Sequence, residues 1–173
     1  YFLGSKEQLL NQPDFTRYWE LTTNTSKERF CPNKAKEYAQ QYYDLLADAV
    51  KLRLRADVKV GSALSGGLDS SSIVYLVNQQ LKAQGKADLQ ETFSSVYKSD
   101  GTQDCDESHF IDLLAKELNV NSNQIEPQEQ DVPAEHQKVI WALENPPEST
   151  IMSSWHTFMK VNQTGIIVNL DGQ

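Results

Sequence analysis

Val60-Gly61-Ser62-Ala63-Leu64-Ser65-Gly66-Gly67-Leu68-Asp69-Ser70-Ser71 decides the reading of this chain. Val58, Val60, Ala63 and Leu64 read as a short strand, and Ile73, Val74, Val77 and Leu81 fall on one face of a following helix. Ser65-Gly66-Gly67 therefore joins a strand to a helix. Glycines there let a ligand approach the main chain. Amides of the loop and of the helix N-terminus favour a bound anion. Ser65, Ser70 and Ser71 add hydroxyls. Asp69 would repel a phosphate directly, so its place makes sense if magnesium lies between them.

The same alternation continues on both sides of the loop. Upstream, Ala35, Tyr38, Ala39, Tyr42, Leu45, Leu46, Ala49 and Val50 make one helical stripe, closed by Lys51, Arg53 and Arg55. Downstream, Gly85-Lys86 breaks the second helix, and Thr92, Phe93, Val96 and Tyr97 read as a second strand. Asp100-Gly101 is a turn. Phe110, Leu113, Leu114 and Leu118 give a third helix, and a weak strand lies near Ile125. Helical stretches near 134–143 and 149–161 are split by Asn145-Pro146-Pro147. Ile166-Ile167-Val168 reads as a fully buried strand. Strands alternating with helices predict an α/β fold with a doubly wound parallel sheet. Ligands then sit beyond the carboxyl ends of the strands. Residues 1–32 read as an irregular lead-in, with Phe15, Tyr18 and Trp19 as an aromatic cluster and a polar run from Thr22 to Ser26.

Composition bounds the function. The chain has 173 residues, 39% hydrophobic and 23% charged, enough for one core. No apolar run approaches the roughly 18 residues of a bilayer span. The net charge of −8 argues against nucleic acid as a partner, because phosphate affinity comes from Lys and Arg. Cys31 and Cys105 form no metal or disulfide pattern, so both are expected as packed free thiols in a reducing cytoplasm.

Rival loop motifs fit less well. No Lys follows the glycines, as a Walker A loop needs, and the GxGxxG spacing is absent. A nucleophile elbow would need Gly where Ala63 stands, and none of His109, His136 and His156 can be tied to Ser65 by sequence. The elbow and a merely Ser-rich Gly-Gly turn stay open as alternatives.

SGGLDSS resembles the pyrophosphate loop of the N-type (PP-loop) ATP pyrophosphatases. With its flanks, from Leu45 through Ser71, it resembles the start of the synthetase domain of glutamine-dependent asparagine synthetases. Tyr18-Trp19 resembles the short entry to that domain, and Thr92-Phe93-Ser94, Asp106-Glu107-Ser108, Glu144-Asn145-Pro146-Pro147 through Ser154-Trp155, and Val168-Asn169-Leu170-Asp171-Gly172-Gln173 resemble later family segments in order. The resemblance implies a Rossmann-like adenine nucleotide alpha-hydrolase fold, incomplete at its C-terminal end. It implies that 33–173 is the first half of the synthetase domain, with the glutaminase domain and the rest lying elsewhere.

It also implies ATP and Mg2+ as cofactors. Aspartate would be amidated through β-aspartyl-AMP, with ammonia delivered by a glutaminase domain. Ser65, Gly66, Gly67, Asp69, Ser70 and Ser71 would form the pyrophosphate loop, with Asp69 as the catalytic, magnesium-bearing carboxylate. Leu64 and Ser95 would flank the adenine, and Asp171 and Gly172 would lie beside the adenosine or the adenylate. Gln173 sits where other branches have Glu. Asp106 and Glu107 read as a helix cap or as metal helpers, the cap being the commoner arrangement. Two departures stand out. The segment 119–124 lacks the family's Gly-Thr and paired His before the third strand, and Met152 stands where some relatives carry Arg. Another carboxylate-adenylating enzyme, of β-lactam synthetase type, and a non-catalytic nucleotide-binding module are the other readings. No nucleic acid or membrane partner is expected, and a homo-oligomer is left open. The fragment alone is expected to be inactive.

Overall fold

The computed structural model describes residues 5–10, 17–23, 29–86, 90–147 and 151–172. Phe15, Gln173, the end of the polar run after Thr23 and the start of the expected 149–161 helix lie outside them. The chain divides into two compact units, Tyr1–Glu37 and Tyr38–Gln173. In the first, described residues form a short helix α1 (Lys6–Leu10) and an exposed stretch where Arg17 pairs with Glu20 at 3.0 Å. Tyr18 and Trp19 are exposed there. Helix α2 (Pro32–Arg53) begins in this unit and continues into the second.

The second unit is an α/β sandwich. Strands β1 (Val60–Ala63), β2 (Glu91–Ser95), β3 (Asn121–Ile125) and β4 (Val168–Leu170) form one parallel sheet in the order β3-β2-β1-β4. Helix α3 (Leu68–Ala83) follows β1, and α4 (Ser108–Leu118) follows β2. Helices α5 (Val132–Leu143) and α6 (Met152–Gln163) lie between β3 and β4. Leu64, Val74, Val96, Ile111 and Leu118 make one core cluster, joining the sheet to α3 and α4. Val50 of α2 packs with Leu76 and Val77 of α3. On the opposite face Phe93 meets Val161 of α6 and Ile166. The chain steps from β1 to β2 to β3 in one direction and then returns to place β4 on the other side of β1. The switch point thus lies between β1 and β4, where open α/β sheets bind ligands.

The weak third strand is present. It pairs with β2 in register over five residues, from Glu91↔Asn121 to Ser95↔Ile125. Its polar composition suits an edge. Asn121 Nδ2 and Asn123 Nδ2 both donate to Glu91 Oε2, at 2.6 and 2.7 Å.

Four expectations need correction. The stripe on α2 is only partly covered: Val50 is buried, but Tyr38, Tyr42 and Leu45 are 58%, 66% and 73% exposed. At about 100° per residue, Leu46 and Val50 turn well away from Leu45, and α3 meets only their face. On α4 the buried residues are Ile111, Ala115 and Leu118, while Phe110 and Leu113 are exposed. Two apolar stripes overlap on that helix and the sheet takes one. Ile166 is buried against Phe93 and Val161, but Ile167, just before β4, is 77% exposed, because successive side chains of an extended chain point to opposite sides. Cys31 is half-buried and Cys105 is exposed, so Cys105 is a free thiol but not a packed one.

Gly61 sets the fit of the sheet against the α6 side. A Cβ there would sit 2.6 Å from Phe93 Cε2, 3.1 Å from Asn169 Oδ1 and 3.2 Å from Ile166 Cγ2. The Phe93 ring is buried and packs with Val161 and Ile166, so yielding to the new Cβ disturbs that cluster. Gly61→Ala is therefore expected to cost about 1–3 kcal/mol, the usual toll of overpacking. Chemical denaturation reads this, and wild-type stability would mean that Phe93 yields freely.

Candidate functional site

A cavity of about 290 Å³ opens at the carboxyl ends of β1, β2 and β4. Its volume lies near the lower end of the small-ligand range. Of the residues named from sequence, Leu64, Ser65, Gly67, Asp69, Ser70, Ser95, Asp171 and Gly172 line it. Gly66 and Ser71 do not.

The loop is built from inside by its serines. Ser65 N donates to Ser70 Oγ at 3.1 Å, and the two hydroxyls lie 3.0 Å apart. Ser70 Oγ also reaches Gly67 O at 3.3 Å, and Gly67 N lies 3.4 Å from Ser65 Oγ. Ser70 is buried, so its hydroxyl acts mainly as an internal strut. Gly66 adopts φ +85°, a left-handed turn that glycine tolerates. Gly67 is the N-cap of α3 and makes no side-chain capping bond. The first-turn amides of α3 thus form an anion-favouring end beside the cavity. Gly172 closes on this end: a Cβ there would lie 3.0 Å from Ser70 N and 3.2 Å from Asp69 C. The chain after β4 consequently seats Asp171 and Gly172 directly against the start of α3.

Ser95 lines the cavity with its hydroxyl engaged by protein atoms. Its hydroxyl donates to Ser153 O at 3.0 Å and lies 2.9 Å from Thr157 Oγ1. Ser95 remains a wall residue, but its polar tip ties β2 to α6. Leu64 is almost wholly in the core while still contributing to the wall.

Asp106 and Glu107 separate cleanly. Asp106 Oδ1 accepts from Tyr97 N (3.0 Å) and Ser108 N (3.2 Å), and Oδ2 accepts from Ser108 Oγ (2.6 Å). The Ser108 hydroxyl, then the Tyr97 amide, hold this carboxyl below its ordinary pKa. Glu107, by contrast, is exposed and lines the cavity. Glu107 is the N-cap of α4 by position but makes no side-chain capping bond and joins the wall; Asp106, one residue earlier, binds Ser108 in the first turn.

The wall also holds residues that sequence reasoning did not name for the site: Tyr97, Cys105, Thr157, Phe158 and Asn169 among them. The sequence signals were weak, since a side chain enters a wall through tertiary placement rather than through a motif. Asn169 contributes a carboxamide whose two polar atoms are buried without a hydrogen-bond partner among the described residues. Behind α6, Trp155 Nε1 donates to Glu135 Oε2 at 2.7 Å, and Lys138 lies 2.8 Å from Glu135 Oε1. Lys138, then Trp155, hold the Glu135 carboxyl below its ordinary pKa. Met152 opens α6, and its carbonyl accepts from His156 Nδ1 at 2.7 Å.

The charged wall residues, Asp69, Glu107 and Asp171, are all acidic. A polyphosphate placed among them meets like charge unless a cation intervenes. Among the described residues no cluster of three or more ligating side chains forms a metal site by itself. Magnesium usually takes one or two carboxylates together with substrate phosphates, so it needs no such cluster. Among the described residues no helix is long and apolar enough to cross a membrane.

Comparison with known proteins gives the family. Asparagine synthetase (glutamine-hydrolyzing) 2 of Bacillus subtilis (strain 168) is 29% identical over 171 residues, covering 94% of this chain and 22% of that protein. Amidase chyE of Penicillium rubens is 29% identical over 165 residues, covering 90% of this chain and 24% of its own. Asparagine synthetase (glutamine-hydrolyzing) 3 of Bacillus subtilis (strain 168) is 23% identical over 163 residues, covering 91% and 26%. The chain thus spans about a quarter of the length of these relatives. Residues 41–173 match the family described as Asparagine synthase, and the chain belongs to that family.

Proposed function

We propose that this chain is the nucleotide-binding part of an ATP-dependent synthetase that amidates aspartate to asparagine. The carrying observation is the single cavity in which the Ser65–Ser70 loop, Asp69 and the Asp171-Gly172 turn converge at the switch point. The residues 33–173 are read as the first part of the synthetase domain and 1–32 as its lead-in. Ammonia would come from a glutaminase domain elsewhere in the parent protein. Two free cysteines suit a cytoplasmic setting.

In this reading the loop and the α3 N-terminus hold the β and γ phosphates of ATP. Asp171 and Gly172 lie beside the ribose or the adenylate, and Leu64 and Ser95 border the base. The aspartate side-chain carboxylate attacks the α phosphorus, forming an acyl-phosphate bond as the bond to pyrophosphate breaks. Ammonia then attacks the acyl carbon, loses a proton, and expels AMP to leave asparagine. The protein's contribution is positioning and stabilisation of the departing pyrophosphate. Magnesium, held by Asp69 and the phosphates, would neutralise charge on that leaving group. Asp171 and Glu107 are the further carboxylates within the same wall.

A second reading, another carboxylate-adenylating enzyme, is favoured by the equal 29% identity to Amidase chyE and by Met152, which stands where some relatives carry Arg. One experiment tests both. The intact protein should exchange labelled pyrophosphate into ATP only when magnesium and an acid are present. Exchange with aspartate supports the first reading. Exchange with other acids but not aspartate moves the assignment to the second, and none with any acid removes both.

A further inference from the structure

Beyond β2 the cavity wall continues into Tyr97, a half-buried aromatic two residues past Ser95. The backbone of this residue is fixed on both sides. Its N–H donates to Asp106 Oδ1 at 3.0 Å, and its carbonyl accepts from Thr102 Oγ1 at 3.0 Å. The same Asp106 carboxylate accepts from Ser108 N and Ser108 Oγ. The Ser108 bonds already engage the first turn of α4. The bond back to Tyr97, nine residues earlier, adds nothing to that helix. What it does is tie the chain leaving β2 to the first turn of α4, and so fix the backbone from which Tyr97 joins the wall.

The sheet order gives this placement a use. The α3 N-terminus and Gly172 mark the phosphate side, at β1 and β4. A nucleotide anchored there extends across β1 toward β2, and Tyr97 is the aromatic residue that follows β2. Of the other two aromatic wall residues, Phe93 is buried to 1% exposure and Phe158 stands 53% exposed on α6 rather than after β2. A phenol ring offers a flat apolar face at low cost in conformational entropy.

We propose that Tyr97 is the face against which the base of the nucleotide packs, and that Asp106 is a positioning residue that holds it there. This rests on the nucleotide reading above. The Asp106 carboxylate touches no ligand. It acts through the Tyr97 amide, so an acceptor oxygen at the same place should largely replace it.

Calorimetry on the intact protein, with Mg–ATP and separately with magnesium pyrophosphate, separates the possibilities. Tyr97→Ala should weaken ATP binding by about tenfold or more, the scale of one lost base stack, and leave pyrophosphate binding unchanged. Tyr97→Phe should bind both like wild type. Asp106→Ala should show the same selective loss for ATP, and Asp106→Asn should recover most of it, since its Oδ1 still accepts from Tyr97 N. Wild-type ATP affinity in Tyr97→Ala overturns the proposal. So does an equal loss of both ligands in Asp106→Ala, which would mean that it merely supports the loop. If wild type binds neither ligand, the nucleotide reading itself falls.

Discussion

Replacing Asp69 with alanine in the intact protein should lower ATP–pyrophosphate exchange by about a hundred- to a thousandfold, the usual scale for removing one electrostatic contact to a leaving group. The direction of the change is the informative part. Asp69 is exposed at the start of α3, in a wall whose other charges are Glu107 and Asp171. If phosphate bound this wall without a cation, deleting a carboxylate would relieve repulsion and strengthen binding. A fall in exchange therefore requires the carboxylate to act through a bridging cation. Asp104→Ala is the control, since Asp104 is an exposed acid of the neighbouring turn and not a wall residue. Equal exchange in Asp69→Ala and wild type would remove Asp69 from the reaction altogether.

Much of this site was legible because its motif is local. Ser65 through Ser70 are contiguous, so a strand, a glycine turn and a helix start fix their relative positions whatever the rest of the chain does. Asp171 and Gly172 were reached only through family resemblance, and their contact with the α3 N-terminus depends on β4 pairing beside β1. The roles of individual side chains were less legible. Ser70 and Ser95 both belong to the wall, yet both hydroxyls are engaged with neighbouring protein atoms. Asp106 and Glu107 are adjacent and chemically alike, but only the direction of each side chain distinguishes the residue that ties Tyr97 to Ser108 from the wall residue. Sequence periodicity carries no such information.

The fold shows the same division. Element type and order followed from apolar periodicity and from the glycine and proline breaks. Which apolar face is covered did not, because that is decided by partners distant in sequence. Tyr38 and Leu45 fit a helical stripe as well as Leu46 and Val50 do, and only the second pair meets α3. Ile166 and Ile167 look identical in a three-residue apolar run, but Phe93 and Val161 receive only the first. The polar strand β3 was weakest in the sequence because its stability comes from the ladder to β2 and from the Asn–Glu91 bonds, neither of which requires apolar residues.

Gly66→Ala should be more damaging than any other loop substitution of one methyl group. Two costs coincide there. The residue holds φ +85°, where an alanine loses about 1–2 kcal/mol. Its new Cβ would also lie 2.9 Å from Glu107 Cβ, 3.2 Å from Glu107 O and 3.4 Å from Phe110 Cβ. A backbone oxygen and the root of a side chain cannot move aside alone, so the start of α4 must shift with them. Conformational strain and overpacking together predict a loss of about 2–4 kcal/mol in equilibrium denaturation. Gly85→Ala separates the two causes, because Gly85 has φ +70° with nothing within 4 Å of a new Cβ. It should lose only the conformational part and keep wild-type ATP affinity. Gly66→Ala should lose more stability and also bind Mg–ATP far more weakly, since Glu107 and the loop share one cavity wall. If the two alanine variants are equally stable and bind ATP alike, the Gly66–Glu107 contact does not shape the site.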